Sequence, residues 1–248
     1  VLFGATTSMT GDGPLGYYLH QIYGTKWYSG DTELESGCGI VPIEYKQKSL
    51  VHAWQWAVGL EWYLTARDPW RIALSTDHPN GGSFLAYPEI IRLLMDRAYR
   101  REVVTGLPRV VREQSLVRDL DREYTLGEIC ILTRAAPARI LGLANKGHLG
   151  PGADADLALY SPQADRAAMF QLPRYVIKGG KVIVDDAQVL APLAGKTLHV
   201  APEFDAEREP QIADWFNRHY TIRFSNYAVG EQYLGAHEQV ACRHTPQD

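Results

Sequence analysis

Between Ser49 and Ala98 the chain reads as helix, strand, glycine break and helix, and that succession points to an α/β architecture built on a parallel sheet. Ser49 is suited to cap a helix. Val51, Trp54, Val58 and Trp62 follow at near-helical spacing, with Leu50, Ala57 and Leu64 widening the apolar face. Asp68-Pro69 stops this helix, because the residue before a proline disfavours helical geometry. Arg71 to Asp77 then reads as a short strand, apolar at Ile72, Ala73 and Leu74, and His78-Pro79-Asn80-Gly81-Gly82 breaks it. A second helix follows, with Pro88 near its first turn and Ile90, Ile91, Leu94, Met95 and Ala98 spaced for burial.

Further along, Thr125 and Glu128 have capping-box spacing, and Ile129, Leu132 and Ala136 carry on the apolar face of that helix. Pro137 is placed to open another short helix that ends near Gly142 or Gly147. After Gly147 the rhythm changes to short β-prone runs at Leu157–Tyr160, Tyr175–Lys178 and Lys181–Val184, with Gly179-Gly180 as a two-residue hairpin turn. A small antiparallel region is expected there. From about Gly195 the chain is polar and aromatic, with one short helix around Gln211 to His219. At the other end, residues 1–48 are rich in glycine, aromatics and turn residues, and a loop of that length is unusual in a compact domain unless it is functional.

A net charge of −4 argues against a protein that coats nucleic acid, which needs a basic face to displace phosphate counterions. No apolar run is long enough to cross a bilayer as a helix: the longest, Leu50 to Leu64, is interrupted by His52, Gln55 and Glu61. Cys38, Cys130 and Cys242 are scattered and lack C-x-x-C spacing, which fits a reducing cytoplasm better than a disulfide framework.

Among residues that carry chemistry, Asp77 stands out, since α/β proteins place active sites at the C-terminal ends of strands. Position alone leaves a second role open, because aspartate before Pro and Gly commonly caps a turn. The histidines show neither H-x-H nor H-E-x-x-H spacing. His52, inside the long helix, reads as a packing or surface residue. His78 adjoins Asp77, and neighbouring strand residues face opposite ways, so the pair is ill-suited to one ion. Gly11 to Gly16 spells G-x-G-x-x-G, but no strand–helix context surrounds it and Pro14 opposes a phosphate-binding amide turn.

Leu132 to Leu143 resembles the last barrel helix of the amidohydrolase superfamily, Lys146 to Tyr160 resembles its return into a β-sandwich, and Tyr175 to Asp186 its closing hairpin. Within that superfamily, Leu74-Ser75-Thr76-Asp77-His78-Pro79-Asn80-Gly81-Gly82, Tyr87 to Ile91, Glu35 to Pro42 and Asp121 to Leu126 are similar to the formylmethanofuran dehydrogenase A subunits and their bacterial relatives in formyltransferase/hydrolase complexes. The resemblance implies the C-terminal part of a TIM-type (β/α)8 barrel over residues 1–147, a β-sandwich portion over 148–195 and a family-specific tail over 196–248. It also implies two zinc ions, a methanofuran-type one-carbon carrier as substrate, and sister subunits as partners, with no nucleic acid and no membrane.

In such a site a metal-bridging hydroxide attacks the formyl carbon, formate is released, and the strand-8 aspartate, here Asp77, binds one metal and carries the proton to the leaving amine. His78, Asn80, Ser36, Cys38 and Gly39 are the corresponding candidates for shaping the substrate pocket. The superfamily's H-x-H pair and bridging lysine would precede Val1, and Val1-Leu2-Phe3-Gly4 reads like the middle of a strand, so the expectation is a fragment that is inactive alone. Two alternatives stay open: a cyclic-amide hydrolase of the dihydropyrimidinase or hydantoinase kind, and a scaffold protein without catalytic activity.

Overall fold

The computed structural model describes residues 46–76, 83–191, 195–201, 204–227, 233, 235 and 237–241. A helical body comes first. Helix α1 (Leu50–Thr65) starts at Ser49, whose hydroxyl accepts from the His52 amide, and a 3-10 turn at Pro69–Arg71 follows with Asp68 as its cap. Next come α2 (Tyr87–Met95), α3 (Arg97–Thr105) and α4 (Arg109–Gln114). Then α5 (Leu126–Cys130), a π turn (Ile131–Ala135) and α6 (Ala136–Ile140) run on without a break. Their apolar faces form one core in which Ala53, Leu60, Tyr63, Leu94, Val111 and Leu132 are completely buried.

The buried face of α1 is Ala53, Trp56, Ala57, Leu60, Tyr63 and Leu64, whereas Trp62 and Leu50 are exposed and Trp54 and Val58 only half-buried. The stripe expected through Trp54, Val58 and Trp62 therefore lies nearly half a turn away from the one the core uses, at about 100° per residue. Tryptophans and aliphatics on nearly every side let spacing name a helix without naming its inner face. The helix expected to reach Ala98 instead breaks at Asp96, which has extended backbone and accepts the Tyr99 amide at 2.8 Å to begin α3. Ala98 is exposed as a result. The strand expected from Arg71 also starts later, since Arg71 closes the 3-10 turn and Leu74 is the bridged residue.

A fully buried arginine ties α3 to the loop behind it. Arg100 donates to the carbonyls of Leu93, Leu120 and Arg122 at 2.7, 3.0 and 2.9 Å. Burial lowers its pKa, yet three carbonyl acceptors satisfy much of its donor capacity.

The second region is a four-stranded antiparallel sheet in chain order: β1 (Leu157–Leu159), β2 (Tyr175–Lys178), β3 (Lys181–Asp185) and β4 (Gln188–Val189). Gly179 and Gly180 both take positive φ, 54° and 78°, as a type I′ hairpin requires. At the next turn Asp186 and Ala187 take positive φ without being glycine. Helix α7 (Arg166–Gln171), capped by Asp165, joins β1 to β2 and packs on α2. Beyond the sheet, β5 (Thr197–Ala201) pairs with β6 (His237–Ala241) in parallel, the parallel pairing seen among the described residues. Between them α8 (Glu209–His219) matches the helix expected there, and it leaves Ile212 and Trp215 half exposed.

An ionic cluster joins the loop after α6 to the sheet. Lys146 donates to Asp154 at 2.7 Å and Asp156 at 2.8 Å, while Lys178 reaches Asp156 at 2.6 Å and the Gly179 amide reaches it at 2.8 Å. Lys146 and Lys178, with that amide, hold the Asp156 carboxyl far below the usual carboxylate range, and Asp154 and Asp156 raise the Lys146 ammonium.

Candidate functional site

The candidate site residues Asp77, His78, Asn80, Ser36, Cys38 and Gly39 all lie outside the described residues. What the structure describes is the chain that delivers Asp77. Ile72, Ala73, Leu74 and Thr76 are buried, and Thr76 precedes Asp77 directly.

This segment is gripped from three elements. From α1, the Tyr63 hydroxyl donates to the Ala73 carbonyl at 3.3 Å and the Ser75 amide hydrogen-bonds to the same phenol oxygen. From α2, the Tyr87 hydroxyl donates to the Leu74 carbonyl at 3.2 Å. From the π turn, the Leu132 carbonyl accepts the Leu74 amide at 3.1 Å. Burial pushes the Tyr63 phenol well above its ordinary pKa, so it remains a protonated donor. Tyr124, pushed up to about 12 by burial, donates in turn to the Tyr63 carbonyl and anchors the end of α1.

The Leu132 carbonyl is free to accept because the π turn meets a proline. In a π turn each carbonyl pairs with the amide five residues on, as Ile131 does with Ala136. The corresponding residue for Leu132 is Pro137, which has no N–H. The orphaned acceptor is spent on Leu74. The helix then ends in a Schellman motif: Gly142 takes φ 72°, the Leu143 amide reaches the Ala138 carbonyl at 2.9 Å, and Gly142 reaches Arg139 at 3.1 Å. Gly147, at φ 78°, sits so close to this helix that a Cβ there would stand 2.7 Å from that of Ala138.

The tyrosines were not among the candidate site residues, although Tyr87 and Tyr124 lie in runs that carry the family resemblance. Their signal is chemical: a phenol on a core-facing helix position needs a partner for its hydroxyl. His52 is half-buried, and its Nδ1 accepts the Lys46 amide at 3.0 Å. A separate cleft of about 560 Å3, lined by Ile131, Leu143, Leu149 and Phe170, opens between α6 and β1; its charged edge, Lys146, Asp154 and Asp156, is already paired.

Among the described residues, no group of three or more His, Cys, Asp and Glu side chains is arranged to hold a metal ion. The described residues thus supply no donor set for the two zinc ions. No helix among them is long and apolar enough to cross a membrane.

The sequence model of the Amidohydrolase family matches residues 3–184. Protein FwdA of Methanocaldococcus jannaschii is 40% identical over 93% of this chain and 43% of its own length. The A subunit of the formyltransferase/hydrolase complex of Methylorubrum extorquens is 40% identical over 98% of this chain and 45% of its own. The crystal structure of that complex with methylofuran contains a chain 42% identical to this one, with a TM-score of 0.66 over 81% of this chain and 37% of that one. The chain therefore spans less than half the length of the curated relatives it matches. It belongs to the amidohydrolase family.

Proposed function

We propose that this chain is part of a cytoplasmic amidohydrolase that cleaves, or reversibly forms, the N-formyl group of a methanofuran-type carrier, with formate as the released acid. The observation that carries this reading is identity at 40% to both FwdA and the formyltransferase/hydrolase relative, sustained through 93% and 98% of the chain. The crystal structure of the related complex, which holds methylofuran, supports the carrier class. Those two relatives do not favour a cyclic-amide hydrolase. Sister subunits are proposed as partners on the same grounds. Residues 1–147 are proposed as barrel, 148–195 as sandwich portion and 196–248 as a tail specific to these relatives.

A formamide C–N bond resists cleavage because the amine is a poor leaving group until its nitrogen is protonated. Asp77 is proposed as the carboxylate that takes up a proton and delivers it there, as general acid–base catalysis requires. His78, Asn80, Ser36, Cys38 and Gly39 are proposed to shape the pocket for the formyl carrier. Two zinc ions are proposed for the complete protein, with Asp77 as one ligand.

The test is Asp77→Asn in the complete, assembled protein, followed by formate release from the formylated carrier. Loss of roughly 10²-fold or more in rate is expected. A rate near wild type would remove Asp77 from the chemistry. A wild-type protein that releases no formate would favour the inactive scaffold instead.

A further inference from the structure

We infer that Tyr63 and Tyr87 are positioning residues for Asp77: their hydroxyls bond to the main chain of Ala73 and Leu74 and so hold the backbone that leads into the reacting residue. The inference rests on the proposed role of Asp77.

Four successive backbone polar groups just before that residue are each held from outside the segment. The Ala73 carbonyl and Ser75 amide meet Tyr63, the Leu74 carbonyl meets Tyr87, and the Leu74 amide meets the Leu132 carbonyl. The anchors come from α1, α2 and the π turn, three separate elements of the helical body. Apolar packing alone would be served by phenylalanine at either position. Tyr63 is completely buried, and burying a hydroxyl costs free energy unless it is bonded. Here both hydroxyls are spent on the main chain two to four residues before Asp77. Tyr124 extends the logic by fastening the carbonyl of Tyr63 itself. Rate is steeply sensitive to such placement, since about 1 Å of displacement costs roughly 10²-fold.

Tyr63→Phe and Tyr87→Phe in the complete, assembled protein test the inference, with Tyr99→Phe as a matched control. Tyr99 is half-buried and its hydroxyl donates to Glu89, away from the segment. The expected result is a kcat lowered roughly 10-fold by Tyr63→Phe and several-fold by Tyr87→Phe, with KM within about twofold, while Tyr99→Phe loses comparable thermal stability and keeps its kcat. Wild-type kcat in folded Tyr63→Phe or Tyr87→Phe overturns the inference, as does an equal kcat loss in Tyr99→Phe. Should Tyr63→Phe not accumulate as folded protein, Tyr87→Phe decides alone. Asp77→Asn is assayed alongside. If it abolishes formate release while the tyrosine variants run at full rate, this inference fails and the role of Asp77 stands. If Asp77→Asn retains its rate, both fall.

Discussion

The helical body and the β1–β4 sheet are held by different forces. In the body, Leu60, Leu94, Val111 and Leu132 are completely buried against one another. In the sheet, Leu159, Val182 and Val189 are all exposed, Val189 at 72%, and besides the packing of α7 on α2 its attachment to the body runs through Lys146, Asp154, Asp156 and Lys178. Apolar burial neither titrates nor is screened by salt, whereas partly exposed ion pairs are subject to both. The two regions should therefore come apart under different conditions, and the segment that carries Asp77 is clamped to the one held by burial.

The largest expected effect tests the body. Leu60→Ala removes a fully buried side chain, and should cost about 3 kcal/mol in chemical denaturation. The amides of the sheet should keep their relative protection in hydrogen exchange. Loss of the sheet's protection at the same denaturant concentration would mean that the two regions unfold as one unit.

A smaller effect tests the ionic attachment. The lowered Asp156 carboxyl stabilises the fold above the unfolded value of about 3.9 and loses that contribution as pH falls below it. The raised Lys146 ammonium contributes below about 10.4 and loses its share as pH rises further. Exchange of the Gly179 and Gly180 amides should accelerate below about pH 4, before that of Leu74 or Tyr124. Asp156→Asn should cost about 1 kcal/mol at neutral pH and flatten that acid dependence. An unaltered acid limb in the variant would assign it to another carboxylate.

The smallest effect concerns the sheet's outer turn. Ala187 holds φ 64° without being glycine. Ala187→Gly should relieve that strain and stabilise the hairpin by about 0.5 kcal/mol or more, visible as slower exchange of the Leu190 amide, which bonds to Ile183. A loss of stability would show that backbone entropy outweighs the strain.

Much of the local structure was legible because its cause is local. Ser49 and the Thr125–Glu128 capping box start helices where expected, Gly179-Gly180 turns the hairpin, and β1, β2, β3 and α8 fall on their runs. The break at Asp96 had a local signal, a capping aspartate, but the apolar spacing ran through it. The short strands β4, β5 and β6 had no pattern strong enough to mark them. For the site, the sequence picks out Asp77 by its place after an apolar run and before glycine, and by family resemblance. The role of the tyrosines that hold the backbone leading into it was not legible, since their partners lie 10 and 13 residues away and are main-chain atoms.

By itself, the sequence determined what depends on neighbours within a few residues: caps, stops and hairpin turns. Tertiary structure alone decided which side of α1 faces inward, that a π turn sets the Leu132 carbonyl opposite Pro137, and where that carbonyl and the buried phenols find their bonds. The reason is physical. A hydrogen bond between residues close in the chain is chosen by a few dihedral angles, but a buried hydroxyl takes whatever acceptor the packed core brings to it.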